Sequence, residues 1–228
     1  MPATPLPPSG DVPTAKTCDA SGMADIHRMY KAGFGEGPAL VRGVAERDSA
    51  HAEVVAQQLD LLSVALHAHH EGEDARLWAP LEERAPACAV HVERMKQQHA
   101  AMLVQLTALD AALPAWRRSA KAVDAEPVLA ALDGVNAALD VHLPDEEANI
   151  VPVMETVITQ KEVEWFSEHG RKATPKGQTW NSLGLILEAQ PDGGDAWMRK
   201  SLPGPVRLVW RWVGKPKYEK HRAALEGR

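Results

Sequence analysis

His69-His70-Glu71-Gly72-Glu73-Asp74-Ala75-Arg76-Leu77-Trp78 ends a long apolar-periodic stretch, and its pattern returns as His142-Leu143-Pro144-Asp145-Glu146-Glu147-Ala148-Asn149-Ile150-Val151-Pro152. Each copy reads His-x-x-x-Glu, then a second acid, two further residues, an apolar pair and a nearby proline (Pro80 and Pro152). A His and a Glu four apart lie one turn from each other on the same helix face. Such a pair offers one imidazole nitrogen and one carboxylate oxygen to a metal ion in a bundle core.

The surrounding pattern decides which face this is. Val55, Leu59, Leu62, Leu66, His69, Glu73 and Leu77 keep the 3.6-residue period, and so do Leu132, Val135, Leu139, His142, Glu146, Ile150 and Val153. Both glutamates therefore fall inside an apolar stripe. A carboxylate buried without a partner costs several kcal/mol, and a shared cation is one way to offset that cost. The competing reading, two solvated helix faces, conflicts with these stripe positions. His70 lies almost as close to the stripe as His69, and His70 with Asp74 is also an i, i+4 pair. The second copy, which has only His142, favours His69.

With 228 residues, 45% of them hydrophobic, the chain can bury one substantial core. Aromatics make up only 5%, and the helix-favouring residues are abundant, so the expectation is all-α. The net charge of −6 is uneven: residues 1–160 carry 12 Lys+Arg against 23 Asp+Glu, whereas residues 161–228 carry 13 against 8. Bulk electrostatics thus argue against nucleic-acid binding by the acidic part. Cys18 and Cys88 suggest neither a disulfide framework nor a thiolate metal site. No segment reads as membrane-spanning or as a secretory signal, which makes cytoplasmic the default expectation.

Residues 1–22, with Pro2, Pro5, Pro7, Pro8 and Pro13, read as a disordered tail. A first helix carries Met23, His27, Tyr30, Phe34 and Val41 on one stripe, with a kink or break expected at Gly35-Glu36-Gly37-Pro38. Asp48-Ser49 caps a second helix that reaches about Trp78. A third runs from about Cys88 to Leu113, ahead of Pro114, with Val92, Met95, His99, Met102, Leu106 and Leu109 facing inward. The fourth spans about Glu126–Val157, and Pro144 predicts a bend beside the motif. Thr159-x-x-Glu162 reads as a capping box that opens a helical extension. Helices are expected there at Trp180–Ala189, Asp195–Ser201 and Pro205 to about Ala224, separated by Gly-Pro and Gly-Lys-Pro turns.

The expected architecture is an up-down-up-down antiparallel four-helix bundle over residues 23–158, with a helical C-terminal extension over 159–228. Each bundle helix sends His, or His with Glu, inward: His27; His69 and Glu73; His99; His142 and Glu146. Four imidazoles and two carboxylates suit a pair of octahedral ions such as iron, and would leave ligands over around one tetrahedral zinc.

On Ile26-His27, His69-x-x-x-Glu73-Asp74-x-x-Leu77-Trp78, Gln98-His99 and His142-x-x-x-Glu146-Glu147-x-x-Ile150-Val151-Pro152, residues 23–157 resemble the hemerythrin-like, or HHE cation-binding, domains. Ferritin-like di-iron proteins use Glu-x-x-His, a different spacing. The resemblance implies a non-haem centre of two iron ions, oxo- or hydroxo-bridged, with Glu73 and Glu146 bridging and the histidines terminal. It departs at one position: the animal oxygen carriers have a second histidine one turn before that of helix three, and Met95 stands there. His91 is off the stripe. One iron is therefore expected to be less saturated by protein, which favours reaction with oxidants over reversible storage of dioxygen.

His67, His70, Glu71, Asp74 and Glu147 read as outer groups or solvated residues, and His51, His169 and His221 as surface. Tyr30 reads as core packing, although its phenol could reach a bound oxygen species. Val206–Val213 could touch an acidic membrane surface or a partner, but docking of Trp165, Trp180, Trp197, Trp210 and Trp212 onto the bundle is the preferred reading. Two functions remain open: a module binding dioxygen, nitric oxide or a related small oxidant as sensor or scavenger, and a catalase-like enzyme decomposing hydrogen peroxide. The sequence shows neither a nucleophile–base constellation nor a Gly-rich phosphate loop.

Overall fold

A computed structural model describes residues 15–228, and every regular element in them is helical. The long helices are α1 (Gly22–Gly43), α2 (Ser49–Arg76), α4 (Ala89–Ser119) and α5 (Ala122–Asn149), with the short α3 (Trp78–Arg84) between α2 and α4. α1 packs on α2 and α5, and α4 packs on the same two, so the four enclose one core. The chain continues through α6 (Val151–Val157), α7 (Gln160–Ala173), α8 (Thr179–Glu188), α9 (Asp195–Ser201), α10 (Gly204–Val209), a π-helical turn (Trp210–Gly214) and α11 (Lys215–Leu225).

Several starts and stops follow from local chemistry. Asp48 caps α2 by accepting from the His51 amide at 3.0 Å. Thr159 and Glu162 form the complete reciprocal capping box of α7. α4 does not end at Pro114. It runs on to Ser119 because Leu113 and Trp116 bury another apolar turn, and left-handed Ala120 closes it on the Trp116 carbonyl.

The break expected at Gly35–Pro38 is not there, and α1 continues through it. Pro38 cannot donate to the carbonyl of Phe34, but the Asn136 side-chain amide of α5 donates to that oxygen at 3.0 Å. Gly37 also lets α5 approach, since a Cβ there would sit 3.2 Å from Leu132 Cδ2. α5 runs on through Pro144, the position of the expected bend, and that proline is exposed. The helices change instead at Leu77 and Ile150, four residues past each motif glutamate, where the amides still bond the Glu73 and Glu146 carbonyls.

Apolar packing falls into two clusters. The larger includes Phe34, Leu59, Leu62, Leu66, Met102, Leu106, Leu132 and Leu139. The smaller includes Leu77, Trp78, Leu81, Val92, Met95, Ile150 and Met154. α4 passes from one cluster to the other, α1 reaches the smaller one through Met23, and α2 and α5 end where it begins, at Leu77 and Ile150; the motif residues occupy the gap.

Of the tail drawn at 1–22, residues 1–14 lie outside the described residues. Residues 17–20 are packed: Thr17 donates its amide to Glu155 O and its hydroxyl to Ile158 O, and Cys18 and Ala20 are buried.

The extension is fastened to α1 and α2. Arg222 pairs with Glu36 at 2.7 Å, Gln190 bridges Arg28 and the Asp25 carbonyl, and His221 meets Gln58 at 3.0 Å. No turn forms at Gly214-Lys215-Pro216. The backbone stays helical through the π-helical turn, where the Lys215 amide bonds the Trp210 carbonyl, and Pro216 follows just after it. Gly214 is needed there, since a Cβ would lie 2.5 Å from the Trp210 ring. Trp210 is buried, and Trp180 and Trp197 pack partly against the main core. Trp212 departs from the docking expectation, with 72% of its surface exposed.

Candidate metal centre

The layer between the two apolar clusters is built from α1, α2, α4 and α5. His27 precedes Tyr30 on α1, His99 lies between Met95 and Met102 on α4, and His142 with Glu146 lies between Leu139 and Ile150 on α5. Successive residues on a helix point about 100° apart, so His69 and His70 straddle the line of Glu73. Both are brought inward. His70, assigned from sequence to the outer groups, is 7% exposed, and its ring stacks 4.1 Å from that of His99.

Seven side chains thus gather in two halves. His70, Glu73, His99 and His142 have ligand atoms within 4.8 Å of one another, and so do His27, His69 and Glu146. His70 faces the layer on the side where a shortfall was expected beside Met95, and it is the half containing His27 that has three groups. Met95 is fully buried among apolar neighbours, and His91 bonds Arg94 outside the layer.

The two carboxylates connect the halves. Glu73 Oε1 lies 3.4 Å from His69 Nε2, and its Oε2 lies 3.5 Å from His99 Nε2. Glu146 Oε2 lies 3.2 Å from His27 Nε2 and 3.6 Å from His142 Nε2. Yet none of the five Nε2 atoms (His27, His69, His70, His99, His142), and none of the four oxygens of Glu73 and Glu146, has a hydrogen-bond partner. Buried polar atoms are nearly always partnered. Nine orphans facing one another fit a site that lends its nitrogens and oxygens to cations. With five imidazoles and two carboxylates, the donor set fits iron, and the residues present accommodate the group that the sequence resemblance implied.

The opposite ring nitrogens are held. His27 Nδ1 meets Glu147 at 2.8 Å, His99 Nδ1 meets Asp74 at 2.8 Å, and His142 Nδ1 meets Gln98 at 3.0 Å. These contacts fix ring orientation and leave each Nε2 facing the layer. Asp74 is held in turn by the Trp78 indole N–H at 2.6 Å, and Gln98 by Asp145, which Arg94 clamps. The second acid of each motif copy is explained by this: Asp74 and Glu147 support histidines on other helices.

Electrostatics without a cation show the same compensation. Burial alone would lower the His27 imidazole, but Glu146 and Glu147 raise it to about 9. Burial holds His69 down at about 3, helped by the charge on His27, and lowers His142 to about 4. Burial also opposes ionisation of Glu146, and nearby His27, His142 and His69 override it, keeping that carboxyl well below the usual range. Glu73 is driven well above its ordinary value, first by burial and then by Glu146.

The remaining histidines stay out of the layer. His67 pairs with Asp110, His51 with the Leu225 carbonyl, and His169 stacks on Trp165. Tyr30 donates to the Ala65 carbonyl at 2.9 Å, so its phenol serves packing. Gly72 lets α7 lie against the motif helix, since a Cβ there would come within 3.2 Å of His169.

The hemerythrin HHE cation binding domain matches residues 22–154. The chain belongs to the hemerythrin HHE family. Domains of this family bind metal ions, typically iron, and here the match spans all seven side chains of the layer. No curated protein and no solved structure matches the chain. No helix among the described residues is long and apolar enough to cross a membrane.

Proposed function

We propose that residues 23–158 form an up-down-up-down four-helix bundle holding a non-haem di-iron centre, and that the protein binds dioxygen, nitric oxide or a related small oxidant as a sensor or scavenger. The ligands are His70, Glu73, His99 and His142 for one ion and His27, His69 and Glu146 for the other, with Glu73 and Glu146 spanning the pair. The observation that carries this reading is the set of nine unpartnered nitrogens and oxygens in a layer otherwise sealed by apolar side chains. When bound, two ferrous ions supply the electrons and the open coordination for a small oxidant. The protein's part is to present five Nε2 atoms to the layer, with His27, His99 and His142 aimed by Glu147, Asp74 and Gln98, and to surround them with apolar side chains.

The half with three groups supports a second reading, catalase-like decomposition of hydrogen peroxide, because it leaves more of an ion's coordination to small molecules. One preparation separates the two. Protein from iron-supplemented cells is assayed for metal and its optical spectrum recorded, then reduced and exposed separately to oxygen, nitric oxide and peroxide. About two irons per chain with a stable oxygen or nitric oxide adduct supports the binding module. Rapid peroxide turnover supports the enzyme. Iron-free protein whose folding a chelator does not alter overturns both.

A further inference from the structure

The extension leaves one face uncovered. Trp210, Gly214 and Tyr218 are buried and anchor the segment, while Leu208, Val209, Trp212 and Val213 are 59%, 45%, 72% and 42% exposed. These four follow helical spacing on the side away from the anchor. Cations flank them: residues 199–220 hold seven Lys and Arg against one acid, Glu219, in a chain whose net charge is −6. Arg199, Arg207, Arg211 and Lys215 also line a groove of about 860 Å³ beside the apolar face, together with Glu188, Asp195, Glu219 and Glu226, and Lys215 lies 3.8 Å from Glu219. Arg199 and Arg207 have no ion-pair partner among the described residues, and Arg211 lies 5.5 Å from the Trp212 ring.

We propose that Val206–Val213 docks on an anionic lipid surface as an interfacial helix, with Trp212 at headgroup depth and the Arg and Lys side chains on lipid phosphates. A one-sided apolar face with an interfacial Trp and a basic margin is what such helices use. Charge favours this occupant over a second copy of the chain, because self-association through the same face would bring two sets of cations together. The acidic remainder of the chain is repelled by the same surface, which turns the basic face toward it. Each cation near an anionic bilayer strengthens partitioning by about fivefold.

The test is co-sedimentation of the full chain with vesicles of phosphatidylcholine alone or in equal mixture with phosphatidylglycerol. The expected result is pelleting with the mixed vesicles only. Trp212→Ser should release most of the bound protein, and Arg211→Gln with Lys215→Gln should weaken binding on the order of twenty-five-fold. Leu103→Ser, at an exposed apolar residue of α4, should change nothing. Unaltered circular dichroism shows that the variants fold. Equal binding to both vesicle types, no binding, or binding indifferent to Trp212→Ser overturns the proposal. So does displacement by millimolar inorganic phosphate, which indicates a soluble anion in the groove. Concentration-dependent self-association abolished by Trp212→Ser points to a second copy and overturns it as well.

Discussion

The two halves of the buried layer share two carboxylates that lie between them but differ in the number of groups they gather. One draws His70, Glu73, His99 and His142 from α2, α4 and α5, and the other draws His27, His69 and Glu146 from α1, α2 and α5. The motif copies look equivalent in sequence, yet only the first begins with two histidines. Adjacent residues on α2 diverge by about 100°, so His69 and His70 serve different halves. On α5 the residue after His142 is Leu143, which goes into the main apolar core. The difference teaches that an inward nitrogen absent from one helix can be matched by one from another, because the bundle sets which positions face the layer and not which helix fills them.

Glu146→Ala tests both halves at once and should have the largest effect. Its Oε2 faces His27 in one half and His142 in the other. Iron content should fall by more than half. The thermal midpoint of iron-loaded protein should drop toward that of chelated protein. At a hundredfold excess over Kd, loss of a bound ligand removes about 2.7 kcal/mol, on the order of 5–10 °C for a chain of this size. An unchanged iron content would show that Glu146 is not a shared ligand.

His69→Ala and His70→Ala compare the halves directly. His69→Ala leaves two protein groups in its half, so one iron should be lost. His70→Ala reduces the other half from four groups to three, the number its neighbour already has, so both irons should remain with weaker affinity. Metal analysis after gel filtration distinguishes the variants. Equal iron loss in both would mean that the halves are not independent in the way their geometry suggests.

Proton linkage should also fall unequally. In the metal-free chain His27 stays protonated up to about 9, so a cation entering its half below that pH must displace a proton. Affinity there should fall about tenfold for each pH unit from 9 toward 7, and His27→Ala should flatten the dependence. The metal-free protein has its own profile. His27, raised on folding, contributes stability that is full below about 6.5 and lost as pH rises through about 9. His69 and His142, depressed to about 3 and about 4, contribute stability that is present above about 6.5 and lost on acidification toward those values. The thermal midpoint of chelated protein should therefore peak near neutral pH and fall on both sides.

Much of this was legible in the sequence because the stripes were. His27, His69, Glu73, His99, His142 and Glu146 sit at apolar-stripe positions, and the structure brings all six into one layer. The sequence weighs His70 against His69 and sets it among the outer groups because the second motif copy has a single histidine, whereas a 3.6-residue stripe is wide enough for both to face the layer. Its signal was the His-His doublet beside Met95, which left a ligand position open. The unbroken α1 was not readable from Gly35–Pro38, since the compensating donor, Asn136, is about a hundred residues away. Trp212 was misread for a related reason. Alternating Trp210 and Trp212 point to different sides of a helix, and composition alone cannot say which side is covered.

The subtlest contrast lies among the supporting acids. Asp74 orients His99 in the half with four groups, and Glu147 orients His27 in the half with three. Losing such a partner typically costs ten- to a hundredfold in metal affinity. Asp74→Asn should fall near the lower end, because three other groups still hold the ion and the amide can keep a hydrogen bond to His99. Glu147→Gln should fall near the upper end, because one misaligned imidazole is a third of its half. It also removes one of the two charges that raise His27, so the proton displaced on metal binding should come off at lower pH. Iron titration of both variants at two pH values separates these effects. If the two losses match in size and pH dependence, the three-to-four asymmetry is a feature of the apo geometry alone and does not govern how strongly each half binds.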